Sequence, residues 1–366
     1  MSFSGLYKKL LLTALGLWLV ACQPTQEMMP TDTARPPAVR TITLEPSATQ
    51  KSPEPSQTPV RDILYPYSID GLRERNYPAG NILIGETLAT TADYTRYAIT
   101  YDSDGLTISG VMQIPPGDGP FPVILMNHGY FNRDEYLPGD GTSLVADVLN
   151  RHGYLTIASD YRGWGASDAG PSLFHTGLVI DVLHLLNAIP SVPQADPDRI
   201  GIWGHSMGGG ITTKILTVDP RIRAAVLYAP NSADDADLIA RWGYGCLGDI
   251  NPGRCNSADM LPLDLSPELV QAYIDAANDP QQLREIAPIY HLEHIQTPIQ
   301  IHIGEADGDY IGSTPPEWAY KLYEALLAAG KPVELFRYPG QRHSFTGESR
   351  ELFLQRILAF FDLYLK

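Results

Sequence analysis

The stretch that decides the fold runs Ile200-Gly201-Ile202-Trp203-Gly204-His205-Ser206-Met207-Gly208-Gly209-Gly210, followed by Ile211-Thr212-Thr213-Lys214-Ile215-Leu216. Its first four residues are an apolar run of the length of a buried parallel strand. Its last residues can open a helix. Between them, Gly204-His205-Ser206-Met207-Gly208 has the Gly-x-Ser-x-Gly form of a nucleophile elbow. A serine at the tip of a strand–turn–helix is forced into a strained backbone conformation. The glycines beside it let neighbouring backbone approach, and the hydroxyl stands clear of the fold. Five residues alone would also suit a glycine-rich turn with an incidental serine. The strand before and the helix after favour the elbow.

Outward from this stretch, apolar runs alternate with helical periodicity. Upstream, residues 94–101 and 106–114 are β-rich and flank Asp102-Ser103-Asp104-Gly105, which predicts an N-terminal hairpin. Residues 122–126 (Pro-Val-Ile-Leu-Met) and 154–158 read as strands, with helices over 142–151 and 177–188. Downstream, strands are expected over 223–228, 298–303 and 333–338. Helices are expected over 318–329, stopped by Gly330, and over 348–364. This alternation predicts an α/β fold: a mostly parallel sheet with helices on both faces. It is interrupted between residues 231 and 286. That insertion is expected to form a small lid over the substrate pocket, with a surface excursion as the alternative reading.

In such sheets the chemistry sits at the carboxyl ends of the strands. A serine hydroxyl is a poor nucleophile until a base takes its proton, and that base needs an orienting carboxylate. For an elbow serine the chain order is Ser, acid, His. After the strand ending near 303 comes Gly304-Glu305-Ala306-Asp307-Gly308-Asp309, in which Asp307 is the candidate acid and Asp309 and Glu305 the runners-up. His343 is the only histidine after Asp307 and follows the last strand. A tetrahedral intermediate needs two preorganised N–H donors. The Met207 amide at a helix N-terminus and the Tyr130 amide in Asn127-His128-Gly129-Tyr130 are the candidates. Arg162, in Asp160-Tyr161-Arg162-Gly163, is expected to hold its loop through a carboxylate, with a loop that lines the pocket as the alternative reading. His291-Leu292-Glu293-His294 fits no zinc spacing, so no metal site is expected there. His175 and His184 read as ordinary helical residues, and His205 as a packed one.

The chain has 366 residues and a formal charge of -16, which argues against a polyanionic partner. At the N-terminus, Lys8-Lys9 precedes an apolar stretch over residues 10–20 that is too short for a comfortable membrane span. It ends in Leu19-Val20-Ala21-Cys22, which resembles the lipobox of bacterial lipoproteins. Residues 1–22 are therefore expected to be a lipoprotein signal peptide, with lipidation at Cys22 and an extracytoplasmic, membrane-anchored product. A plain secretory peptide is the alternative. Residues 23–66 are rich in Pro, Ser, Thr and Gln and read as a disordered linker. The folded domain is expected over 86–366, with residues 65–85 either an arm packed on it or part of the tether. In an oxidising compartment Cys246 and Cys255 are expected to pair, with two free thiols as the alternative.

From about Glu86 onward the sequence resembles the α/β-hydrolase superfamily, and within it the prolyl oligopeptidase-like and dienelactone-hydrolase-like group. The resemblance is carried by Phe121-Pro122-Val123-Ile124-Leu125-Met126-Asn127-His128-Gly129, Asp160-Tyr161-Arg162-Gly163, Asp196-Pro197-Asp198-Arg199-Ile200-Gly201, the elbow, and Tyr338-Pro339-Gly340 leading to His343. It implies an α/β-hydrolase fold and a serine triad, without cofactor or metal. Peptidases of that family carry an N-terminal β-propeller, which the linker and hairpin here leave no room for. The expected activity is therefore hydrolysis of a small carboxylic ester. Exopeptidase action on short peptides, acyl transfer and a non-catalytic binding module are the alternatives.

Overall fold

The computed structural model describes residues 62–247, 255–262 and 264–366. The expectations for the signal peptide, for Cys22 and for the linker up to residue 61 lie outside the described residues. Strands β1 (Leu83–Thr90), β2 (Thr95–Ser103), β3 (Leu106–Ile114), β4 (Phe121–Asn127), β5 (Leu155–Ser159), β6 (Ala195–His205), β7 (Ala224–Tyr228), β8 (Gly245–Leu247), β9 (Asn256–Leu261), β10 (Ile299–Gly304) and β11 (Val333–Tyr338) follow in chain order. The helices are α1 (Ile69–Glu74), α2 (Ser143–Arg151), α3 (Thr176–Ala188), α4 (Met207–Val218), α5 (Asp235–Trp242), α6 (Pro267–Ala277), α7 (Pro280–Ile286), α8 (Pro316–Ala328) and α9 (Gly347–Leu365).

A nine-stranded sheet is ordered β1-β2-β3-β5-β4-β6-β7-β10-β11. The hairpin β2–β3 and its neighbours β1 and β5 pair antiparallel; from β5 to β11 the pairing is parallel. The unbroken apolar run of β4 follows from this position. Val123 and Leu125 face one cluster, with Val179, Leu183, Ile211 and Ile215 of α3 and α4. Ile124 and Met126 face the other, with Val145 and Leu149 of α2 and Ile357 and Phe361 of α9. Successive strand side chains point to opposite faces, so a strand covered on both sides reads as a near-continuous apolar run.

The fold begins earlier than Glu86. Leu64, Ile69 and Leu72 are buried, and β1 adds an edge strand from Leu83. A single turn with two apolar residues three apart is too short a pattern to separate from a tether. Among the described residues, the insertion at 231–286 holds α5, the small pair β8–β9, α6 and α7. Cys246 and Cys255 are joined by a disulfide within it. Among the described residues, no helix is long and apolar enough to cross a membrane.

Candidate active site

Ser206 sits between β6 and α4 with φ 56° and ψ −121°. That backbone is costly for a residue with a Cβ, roughly 1–3 kcal/mol, and persists only where its surroundings over-determine it. Here the Ser206 amide donates to Tyr228 O at 2.9 Å, while its carbonyl accepts from Gly209 N at 2.9 Å and Asn231 N at 2.9 Å. The elbow glycines are needed for contact: a Cβ at Gly204 would overlap Gly208 backbone, and one at Gly208 would overlap Asn127 O. The turn therefore packs against the end of β4.

The loop after β4 lies directly on the serine. A Cβ at Gly129 would stand 3.1 Å from Ser206 Cβ. Among the described residues, neither the Tyr130 nor the Met207 amide donates to a protein acceptor, and both residues line the cavity that Ser206 lines. Met207 N is also the first amide of α4, where the helix dipole favours negative charge. His128 anchors this loop from behind. It is buried among Tyr136, Tyr161 and Trp164, and its Nδ1 lies 2.6 Å from Gly129 O. Burial lowers its pKa to about 4, so the ring is neutral at ordinary pH.

Asp307 follows β10 and His343 follows β11. Asp307 Oδ2 lies 2.8 Å from His343 Nδ1, with the carboxylate buried and the imidazole partly open. The runners-up are engaged elsewhere: Glu305 with Arg337, and Asp309 with Arg342. Thr314, which the sequence reading missed, has its Oγ1 3.0 Å from Asp307 Oδ2 and 3.0 Å from Ala229 O. It fixes the acid to the end of β7, next to the Tyr228 carbonyl that holds Ser206. A lone threonine ahead of a helix carries no signal that could have revealed this. His205 Nε2 meets His343 O at 3.1 Å, and the two rings lie 4.7 Å apart. Burial, then the neighbouring His343, lower the His205 pKa to about 3. Among the described residues, no hydrogen bond joins the Ser206 hydroxyl to His343. Such pairs are commonly loose without substrate and tighten in the reacting complex.

The cavity at Ser206 measures about 300 Å³, at the small end for ligand sites. Arg241, Trp242, Asn256 and Ala258 of the insertion line it, together with His175, Asn231 and Ile311. His175 was expected to be an ordinary helical residue. Instead it precedes α3 in a left-handed conformation and forms part of this wall. Arg162 makes a buried ion pair with Asp181 at 2.7 Å and does not reach the cavity. Asp70, His291 and His294 each bring one potential ligand atom to within 4.8 Å of the others. None of the three lines the Ser206 cavity.

Two family models cover the folded region in succession. The one described as serine aminopeptidase, S33 matches residues 123–255, and the prolyl oligopeptidase family model matches residues 257–366. The chain has the α/β-hydrolase fold. A curated relative, the uncharacterized peptidase YuxL of Bacillus subtilis, is 27% identical over 282 residues; the match covers 72% of this chain and 38% of the relative. The chain thus spans well under half of that relative's length. Among solved structures, acetyl xylan esterase 1 from Thermoanaerobacterium matches with a TM-score of 0.55 at 18% identity, over 81% of this chain and 92% of its own. The Pyrococcus horikoshii acylaminoacyl peptidase matches with a TM-score of 0.56 at 19% identity, over 75% of this chain and 42% of its own. These structural likenesses concern the fold.

Proposed function

We propose that this α/β-hydrolase is a serine carboxylic ester hydrolase that works through an acyl-enzyme. The observation that carries the reading is the Asp307–His343 hydrogen bond beside a serine held in a strained elbow. In this reading Asp307 holds the imidazole with Nδ1–H toward the carboxylate, leaving Nε2 free to accept the Ser206 proton. Ser206 Oγ attacks the ester carbonyl, and the Tyr130 and Met207 amides receive the oxyanion. His343 then returns the proton to the departing alcohol. Water enters and attacks the acyl carbon as His343 takes one of its protons; His343 returns that proton to Ser206 Oγ as the bond to the acyl group breaks and the acid leaves.

A cavity of about 300 Å³ at Ser206 supports a small ester over a peptide. The prolyl oligopeptidase family match supports the second reading, an exopeptidase acting on short peptides. The two separate in one assay. Short-chain p-nitrophenyl esters should be hydrolysed with higher kcat/KM than aminoacyl and dipeptidyl p-nitroanilides. Faster anilide turnover would establish the peptidase reading instead. We also propose, from the lipobox-like Cys22, that the enzyme works outside the cytoplasm on a lipid anchor. Radiolabelled palmitate should then enter the full chain and be absent from Cys22→Ala.

A further inference from the structure

Phe174 and His175 both have positive φ, 52° and 58°. Non-glycine residues avoid this region, and a consecutive pair must be held there. Asp259 of β9 accepts from both amides, at 2.9 Å from Phe174 N and 2.6 Å from His175 N. From the other side, buried Lys214 of α4 donates to Phe174 O at 2.8 Å. The insertion and the core together fix this turn, and what the turn delivers is the His175 side chain into the Ser206 cavity. His175 Nε2 lies 3.5 Å from Asn256 Nδ2 of the insertion.

Asn231 completes the same wall. It is 2% exposed, and its amide oxygen is buried with no hydrogen-bond partner. A buried amide without a partner is costly and calls for an explanation. Gly210 makes room for it, since a Cβ there would overlap that oxygen. Its backbone amide donates to the Ser206 carbonyl, so Asn231 adjoins the nucleophile's backbone, and both residues line one cavity.

We infer that Asn231, with His175 and Asn256, forms a recognition subsite for a hydroxyl group on the acyl chain, two or three carbons from the scissile carbonyl. An amide offers both a donor and an acceptor, and a neutral hydroxyl can answer either. An ammonium group can only donate and a carboxylate can only accept. The cation on this wall, Arg241, already donates to the Tyr310 and Gly308 carbonyls. The proximity of Asn231 to Ser206 places the recognised group close to the reacting carbon. The inference rests on the ester reading above.

The test compares p-nitrophenyl 3-hydroxybutyrate with p-nitrophenyl butyrate, reading the ratio of their kcat/KM values. The ratio cancels any loss common to both substrates. The expected ratio is about tenfold or more in the unaltered protein, falling toward one in Asn231→Leu. Asn231→Ala, which only removes atoms, should lower it likewise if the leucine variant does not fold, as judged by circular dichroism. A ratio near one in the unaltered protein would overturn the inference, as would a ratio that both variants leave unchanged. So would a preference for the succinate half-ester that depends on Arg241. If neither ester is turned over while peptide anilides are, the ester reading itself fails and this inference with it.

Discussion

Ser206 carries its strain for position. Its φ of 56° and ψ of −121° lie where glycine is comfortable and a side chain is not. Removing the side chain should therefore stabilise the fold while abolishing activity. Ser206→Gly is expected to gain roughly 1 kcal/mol in chemical denaturation relative to Ser206→Ala, which keeps the Cβ and its cost. Equal stability of the two variants would mean that the elbow is not strained. The residue scale was also where the sequence was most informative. A Gly-x-Ser-x-Gly flanked by strand and helix, one histidine after the last strand and an acid between them are local signals bound to chain order. Thr314, His175 and Asn231 were not legible. Their positions depend on contacts between segments far apart in sequence, and threonine, histidine and asparagine are common in loops.

At the scale of elements, the strand ends are aligned by buried polar ties that the hydrophobic pattern does not encode. Arg162, in the loop after β5, donates from Nη2 and Nε to Asp181 of α3, which also accepts from Ser103 of β2. The expectation that Arg162 holds its loop needed only the presence of a carboxylate; which carboxylate could not be read. Removing one partner of a fully buried pair leaves the other charge stranded. Arg162→Ala is thus expected to cost about 3–5 kcal/mol in denaturant unfolding. A loss below about 1 kcal/mol would contradict that role. The core strands were legible because β4 and β7 are apolar at almost every position and β6 is apolar over residues 200–203. By contrast, α1 and β1 offered one turn and an exposed edge, with too little periodicity to be recognised. β8 and β9 are short and sit inside an insertion, where no alternation guides the eye.

For the whole molecule, the buried histidines set a limit on the acid side. His128 and His205 have folded pKa values of about 4 and about 3, below the ordinary 6.5, because burial penalises the charged ring. As pH falls, the unfolded chain therefore takes up these protons first. The stability is fully present above about 6.5 and drains away as pH falls toward 4 for His128 and 3 for His205. Each histidine is expected to cost on the order of 3 kcal/mol by pH 4. Asp160 and Asp235, raised by burial, act in the opposite sense and soften the loss. Melting temperatures between pH 7.5 and 4 should fall less steeply in His205→Asn than in the unaltered protein. Parallel curves would show that His205 does not titrate as its burial requires.

The central claim is that Ser206 becomes acylated. Exposure to a fluorophosphonate probe, followed by peptide mass spectrometry, tests it most directly. One adduct is expected, located on Ser206, lost in Ser206→Ala and strongly slowed in His343→Ala. An unlabelled protein, or an adduct on another residue that survives Ser206→Ala, would contradict it.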